Sequence, residues 1–468
     1  MQSNTDIELF GTAGLSLAEI LSSLSYALDL TGGNPMGHAQ RTCLIAMRLG
    51  AMYGLSKEDL TSLFYGVLMK DSGCSSNAAR MYEIFGSDDL KVKSGITVID
   101  PTNLVEAARF IAGHAVPKKS LLARALKTID IATHPAPFQE IVKTRCSRGY
   151  QIAMTLGLGE EAAGCIYSLM ERWDGRGSPD GKAGTDIPIL SRIANVAQHV
   201  EILGKTYGFD AAFDIVRKRS GKTFDPEVVN LLLHSREDHV LWESVQGDPR
   251  EDLLKLDIRP TIEAATEVRI DAICDTFAQI VDAKSPFTGE HSSRVRNYSV
   301  MIGQGLGIKG ARMTTLRRAA LLHDIGKLAV PNSILDKPAK LDDEEWQCVR
   351  KHPYYTQQVL ARIPGFERIT EVASAHHERL DGKGYFRGLT ARELDTDMRI
   401  IAVADVFDAL SAERPYRGAL PLREVFGIMD KDAGIALDAR CIDILKSSTM
   451  TLDDLRQNAF ERRALMAA

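Results

Sequence analysis

Residues 376–384 read His376-His377-Glu378-Arg379-Leu380-Asp381-Gly382-Lys383-Gly384, and from Glu378 onward the pattern recurs 207 residues upstream as Glu171-Arg172-Trp173-Asp174-Gly175-Arg176-Gly177. The same offset places Arg192-Ile193-Ala194 on Arg399-Ile400-Ile401. Nearer the N-terminus, Gly37-His38-Ala39-Gln40-Arg41 resembles Glu290-His291-Ser292-Ser293-Arg294 at an offset of 253 residues. That offset also sets Gly54-Leu55 on Gly307-Ile308, Leu63 on Leu316, Asp71 on Asp324 and Gly73 on Gly326. Two long blocks of constant offset, changing once in a variable middle, mark a tandem duplication.

Between the quoted motifs, apolar residues recur at spacings of three and four in Leu15 to Leu30, Cys43 to Leu49, Leu60 to Met69, Ile262 to Val281, Leu316 to Leu322, Ile369 to Ala375 and Ile400 to Leu410. Strand-like alternation is rare, and Gly-rich loops fall between the helical runs at Asp174 to Gly184 and Asp381 to Gly388. The expectation is an all-α protein of two similar helical bundles, residues 1–234 and 261–468. The polar stretch 235–260, centred on Gly247-Asp248-Pro249, reads as a linker. The helix that follows carries Ile270, Ile273, Phe277, Ile280 and Val281 as a stripe. Such a stripe packs on its own domain in the favoured reading and forms a homodimer in the alternative.

Composition excludes several classes. The 468 residues are 44% apolar and 25% charged, with a net charge of −5. No basic field grips a nucleic-acid polymer, and the best apolar run, Leu63 to Met69, falls far short of a membrane span. The first residues lack a signal-peptide pattern. Seven cysteines, odd in number and without a Cys-x-x-Cys pair, fit buried thiols of a reducing, cytoplasmic compartment. Cys348, four residues before His352, reads as one of these rather than as a ligand.

The second copy holds five of the eleven histidines. In order they stand in His291, His323-Asp324-Ile325-Gly326-Lys327, His352-Pro353 and His376-His377-Glu378, followed by Asp405 within an apolar helix. An aspartate in such a run is expensive to bury unless paired, hydrogen-bonded or coordinating a metal. Five imidazoles and two carboxylates are too many ligands for one ion and suit two. Nitrogen and oxygen donors without thiolate suit iron or manganese, with zinc, nickel or cobalt able to compete.

The order of these residues resembles the HD metal-dependent phosphohydrolase superfamily, and its second half the HD-GYP subclass, over Ser285 to Leu445, about a third of the chain. The resemblance implies tandem HD-type bundles, with His291, His323, Asp324, His352, His376, His377 and Asp405 holding two divalent transition-metal ions. It implies hydrolysis of a cyclic dinucleotide, foremost cyclic di-GMP, to a linear dinucleotide, which some members cut further to GMP. Asp324 and Lys327 would be catalytic, with Lys327 one turn beyond His323 on the same helix face, neutralising a phosphate oxygen. Arg414 and Arg417 match basic residues that hold the substrate's phosphates. The alternatives are an HD phosphohydrolase acting on cyclic GMP-AMP or another nucleotide, and a non-catalytic receptor that signals through a protein partner.

Two departures stand out. Phe287 replaces a glutamate that ligates a third metal in some members, which favours a two-metal centre. Phe386 replaces the proline of Gly-Tyr-Pro, removing a fixed φ from a loop that contacts partners. In the first copy the offsets leave His38 and Asp71 but put Lys70 for His323, Cys74 for Lys327, Arg145 for His352, Leu169 and Met170 for His376 and His377, and Gln198 for Asp405. That half reads as catalytically dead and regulatory, separable from an active second half.

Overall fold

The computed structural model describes residues 15–256, 265–286, 289–413 and 418–449, except Pro101, Lys118 and Pro135. Among them there is no strand; β pairing is confined to isolated bridges, and the chain between the helices is turn and loop. No helix among the described residues is long and apolar enough to cross a membrane.

The duplication is visible element by element. Helix Leu17–Gly32 opens on a Ser16–Glu19 capping box and closes on left-handed Gly33. Its counterpart is helix Glu267–Asp282, capped by Thr266. His38–Tyr53, Lys57–Leu68 and Ile189–Tyr207 in the first copy answer to His291–Gly305, Gly310–Leu322 and Thr396–Ser411 in the second. The two Asp-Gly loops close on equivalent bridges, Asp174 to Ala183 and Asp381 to Thr390. The copies part company in the middle. There the first is longer, and its helices Ala78–Phe85, Asp89–Ile96, Leu104–His114 and Leu121–Thr133 surround a small core of Met81, Phe85, Val92, Phe110 and Ile141, where the second has the short helices Asn332–Leu335 and Asp343–Arg350.

The main core does not divide between the copies; it runs from Leu15 to Leu445 as one cluster. The first helix of each copy crosses to the other. Leu17–Gly32 packs on the 3₁₀ turn Ile325–Ala329 of the second copy, and Glu267–Asp282 reaches the 3₁₀ turn Ser75–Asn77 of the first. The stripe Ile270, Ile273, Phe277, Ile280 and Val281 is buried, chiefly under helices of its own copy.

The stretch read as a linker is folded as far as Leu256. Helices His239–Gln246 and Arg250–Lys255 lie on helix His38–Tyr53, burying Leu241, Trp242, Val245 and Leu253. Its polar sequence is the outer face of two short amphipathic helices, which spacing alone could not distinguish from a linker. Polar bonds also join the copies: Ser23 Oγ and Arg250 Nη2 donate to Arg362 O at 2.9 and 2.6 Å.

These contacts argue against separable halves. Residues 255–468 expressed alone should bind a hydrophobic dye and melt lower than the full chain, because the second copy loses the cover of helix Leu17–Gly32. A fragment melting like the full chain would show the interface to be dispensable.

Candidate metal centre

The seven predicted ligands converge from five elements. His291 begins helix His291–Gly305, and His323 and Asp324 follow helix Gly310–Leu322. His352 begins helix His352–Leu360, His376 and His377 follow helix Glu367–Ala373, and Asp405 lies in helix Thr396–Ser411. All but His377 are buried, and His377 is half-buried.

Asp324 is the centre of the arrangement. Its Oδ2 faces His291 Nε2 at 3.2 Å and His323 Nε2 at 3.3 Å. Its Oδ1 faces His352 Nε2 at 3.4 Å and His376 Nε2 at 3.6 Å. Asp405 completes both groups, with Oδ1 3.5 Å from His291 Nε2 and Oδ2 3.8 Å from His377 Nδ1. One carboxylate thus presents an oxygen to each of two sets of imidazoles, the arrangement a bridging ligand requires.

Helix ends orient the rings. Nδ1 of His323 donates to Ala320 O at 2.8 Å, that of His352 to Val349 O at 2.7 Å and that of His376 to Ala373 O at 2.7 Å. Each acceptor is one of the last carbonyls of a helix, a group without an intrahelical partner. The bond sets the tautomer and aims the Nε2 lone pair inward. Three helix C-termini with partial negative charge therefore meet at the site, a field that favours cations.

The donor set fits metal ions. His291 Nε2, His323 Nε2 and Asp324 Oδ1 are buried without a hydrogen-bond partner, a costly condition that coordination would relieve. Burial holds His352 and His377 well below the usual imidazole range and His376 down to about 4, so all three are neutral ligands near pH 7. Burial acts to raise Asp324, but the nearby His323 and Lys327 and the close approach of His291 outweigh it and hold the carboxyl well below its usual range.

Comparison with known proteins agrees with this geometry. A family model for the HD domain matches residues 138–228 and 275–441, parts of both copies. The chain belongs to the HD-domain family. A Vibrio cholerae protein named 3'3'-cGAMP-specific phosphodiesterase 3 is 40% identical over 440 residues, 94% of this chain and 95% of that one. The crystal structure of a cyclic GMP-AMP-specific phosphodiesterase from V. cholerae, V-cGAP3, is 36% identical. It aligns with a TM-score of 0.64 over 93% of this chain and 98% of that chain. A Thermotoga maritima cyclic di-GMP phosphodiesterase is 40% identical over 149 residues, 31% of this chain and 40% of that protein.

Within the HD motif one expectation changes. His323 and Lys327 do not share an α-helical face: the helix ends at Leu322, and Lys327 lies in the 3₁₀ turn Ile325–Ala329. The tighter turn brings Lys327 Nζ to 2.5 Å from Asp324 Oδ2. Gly326 permits the turn, since a Cβ there would sit 2.0 Å from His352 O. Phe386 adopts φ 97°, a value a proline ring cannot take, so the exchange at this position accompanies a different backbone. Phe287, Arg414 and Arg417 lie outside the described residues.

Sequence reasoning missed Asp408. It accepts from His291 Nδ1 at 2.7 Å and from Arg294 Nε at 2.6 Å, fixing a ligand ring that has no helix-end carbonyl behind it. Its signal was its place three residues beyond Asp405 on the same helix.

The first HD copy keeps this frame with different contents. Glu201, at the position of Asp408, binds His38 Nδ1 and, at 2.6 Å, Arg41 Nε. A Cβ on Gly73 would meet Arg145 O at 2.0 Å, which confirms Arg145 as the counterpart of His352. Lys70 Nζ bonds His38 Nε2 at 2.9 Å and pairs with Asp71 Oδ2, while Arg145 Nη2 reaches Asp71 Oδ1 at 3.0 Å. Two side-chain cations thus take up the oxygens that Asp324 turns toward its two imidazole sets.

Asp408→Ala should weaken metal binding by ~10–100-fold, the scale for removing the partner that orients a ligating histidine. Competitive titration with a chromophoric chelator would measure it. Unchanged affinity would remove Asp408 from the support of the site.

Proposed function

We propose that this chain is a two-metal phosphodiesterase that opens 3'3'-cGAMP to a linear dinucleotide, using iron or manganese. The observation that carries the reading is Asp324, with one oxygen toward His291 and His323 and the other toward His352 and His376. His291, His323 and Asp405 would hold one ion, and His352, His376 and His377 the other, with Asp324 between them. Such a pair, when bound, makes a water acidic enough to attack phosphorus and neutralises the charge that develops.

The protein groups then orient and balance charge. The Lys327 side chain is 20% exposed, so its ammonium is reachable from outside and can pass from Asp324 to a phosphate oxygen. Tyr385 stacks on His377 with ring centroids 4.6 Å apart and walls one side of the ligand cluster. Arg414 and Arg417 would hold the substrate's second phosphate. Cyclic GMP-AMP takes precedence over the cyclic di-GMP expected from the motifs, because the relative similar along nearly the whole chain carries the cGAMP-specific name. Relatives named for cyclic di-GMP, such as that of T. maritima, match over shorter stretches. The first copy is architectural and regulatory.

The test is hydrolysis by the purified full chain, loaded anaerobically with iron or manganese, with products separated by chromatography. 3'3'-cGAMP should be consumed faster than cyclic di-GMP, with two metals per chain by elemental analysis. Faster cleavage of cyclic di-GMP would overturn the substrate, and inertness toward both would overturn the activity. Lys327→Ala should keep its metals and lose ~10²–10³-fold in turnover, the scale for one electrostatic donor. Asp324→Ala should lose metals and activity together.

A further inference from the structure

Asp89 opens helix Asp89–Ile96 of the first copy, is fully buried, and lies between the 3₁₀ turns of the two copies. On one side its Oδ2 pairs with Lys93 Nζ at 2.9 Å, and the same ammonium donates to Cys74 O at 3.0 Å. Cys74 is the counterpart of Lys327 at the repeat offset of 253 residues. On the other side Asp89 Oδ1 accepts from the backbone N–H of Asn332, in the second copy, at 2.8 Å. Asn332 Nδ2 in turn donates to Lys284 O at 2.6 Å. Lys284 Nζ donates to Leu328 O, the residue after Lys327, at 2.6 Å.

These groups are sealed from solvent: Lys284 is 1% exposed and Asn332 fully buried. Burial pulls Lys284 down to about 8, and Asp89 is the strongest of the charges holding it protonated. A buried ammonium needs an anion, and the one it uses comes from the other copy. Two lysines, each fastened to a carbonyl of one copy's turn, therefore flank a single carboxylate.

We propose that Asp89 is a positioning residue for hydrolysis: through Lys284 and Asn332 it fixes the turn that carries Lys327, and through Lys93 it ties that turn to the degenerate turn of the first copy. The proposal rests on Lys327 acting on the substrate as described above. It gives the first copy a definite means of acting on the reaction, since a displacement of Cys74 is transmitted through Lys93, Asp89, Asn332 and Lys284 to the residue beside Lys327.

The experiment is a double-mutant cycle in the full chain with 3'3'-cGAMP. Lys284→Met and Asp89→Asn should each lower kcat roughly tenfold, with metal content and KM unchanged, and neither should cost anything further in a Lys327→Ala background. Losses that multiply with that of Lys327→Ala, or an unchanged kcat, would overturn the proposal. If Asp89→Asn fails to fold, Asp89→Asn combined with Lys284→Met keeps the net charge of the cluster and takes its place. A second measurement needs no activity. Hydrogen exchange at the Asn332 amide and across residues 327–330 should quicken in the Asp89 variant; unchanged exchange would overturn the positioning role even in a chain inert toward cyclic dinucleotides.

Discussion

A carboxylate shut away from water has to be met by positive charge, and Asp324 is 1% exposed. Among the surrounding imidazoles, burial acts to lower His291, but its contacts with Asp324 and Asp408 outweigh that and raise the ring to about 9. His352, His376 and His377 are kept neutral by burial, and three helix ends add partial negative charge through their last carbonyls. Lys327 is the one cationic side chain paired with Asp324 beyond the imidazoles. A cavity so arranged has lone pairs to spare and a shortage of positive charge, which is a description of a site for dications. The first copy faces the same requirement at Asp71 and meets it from within the chain, with Lys70 on one oxygen and Arg145 on the other.

This accounts for which substitutions the degenerate copy carries together. Exchanging the histidines for Leu169 and Met170 alone would have left Asp71 buried without a counter-ion, a loss of several kcal/mol. The lysine and the arginine remove that loss and hold Asp71 well below its usual range. With charge restored, the frame had no reason to change. Gly73 still lets its turn touch the backbone of Arg145 as Gly326 touches that of His352, and Glu201 still clamps His38 and Arg41 as Asp408 clamps His291 and Arg294.

Much of this was legible in the sequence because it depends on residue identity at fixed spacing. The all-α class followed from periodicity, and the order of the motifs along the chain named the residues that the fold gathers around Asp324. The duplication followed from its offsets, including the match of Arg145 to His352 across the point where the offset changes. What escaped depends on three-dimensional detail. Periodicity cannot tell an α-helix from a 3₁₀ turn over five residues, so Lys327 was placed on the wrong kind of turn. Asp408 acts only through its bond to His291, and no motif marks it. The segment 235–256 looked like a linker because two short helices with one buried face each leave a polar average. No sequence pattern announces that the first helix of each copy crosses to the other, so the contact between the copies was not legible either.

That crossing explains what kind of unit the duplication has made. Ile325 and Leu328, which flank Gly326 and Lys327 in the active turn, are fully buried where helix Leu17–Gly32 of the first copy packs on that turn. Covering each such side chain contributes about 1.5–3 kcal/mol, and the turn they anchor is the one that aims Lys327. A first copy without the second copy's histidine set is therefore still held to its shape by the second. Its leading helix covers the turn of Lys327, and helix Asp89–Ile96 brings Asp89 to Asn332. The ligands of the first copy could be exchanged without disturbing either contact, because they face inward on their own cluster. The helices could not.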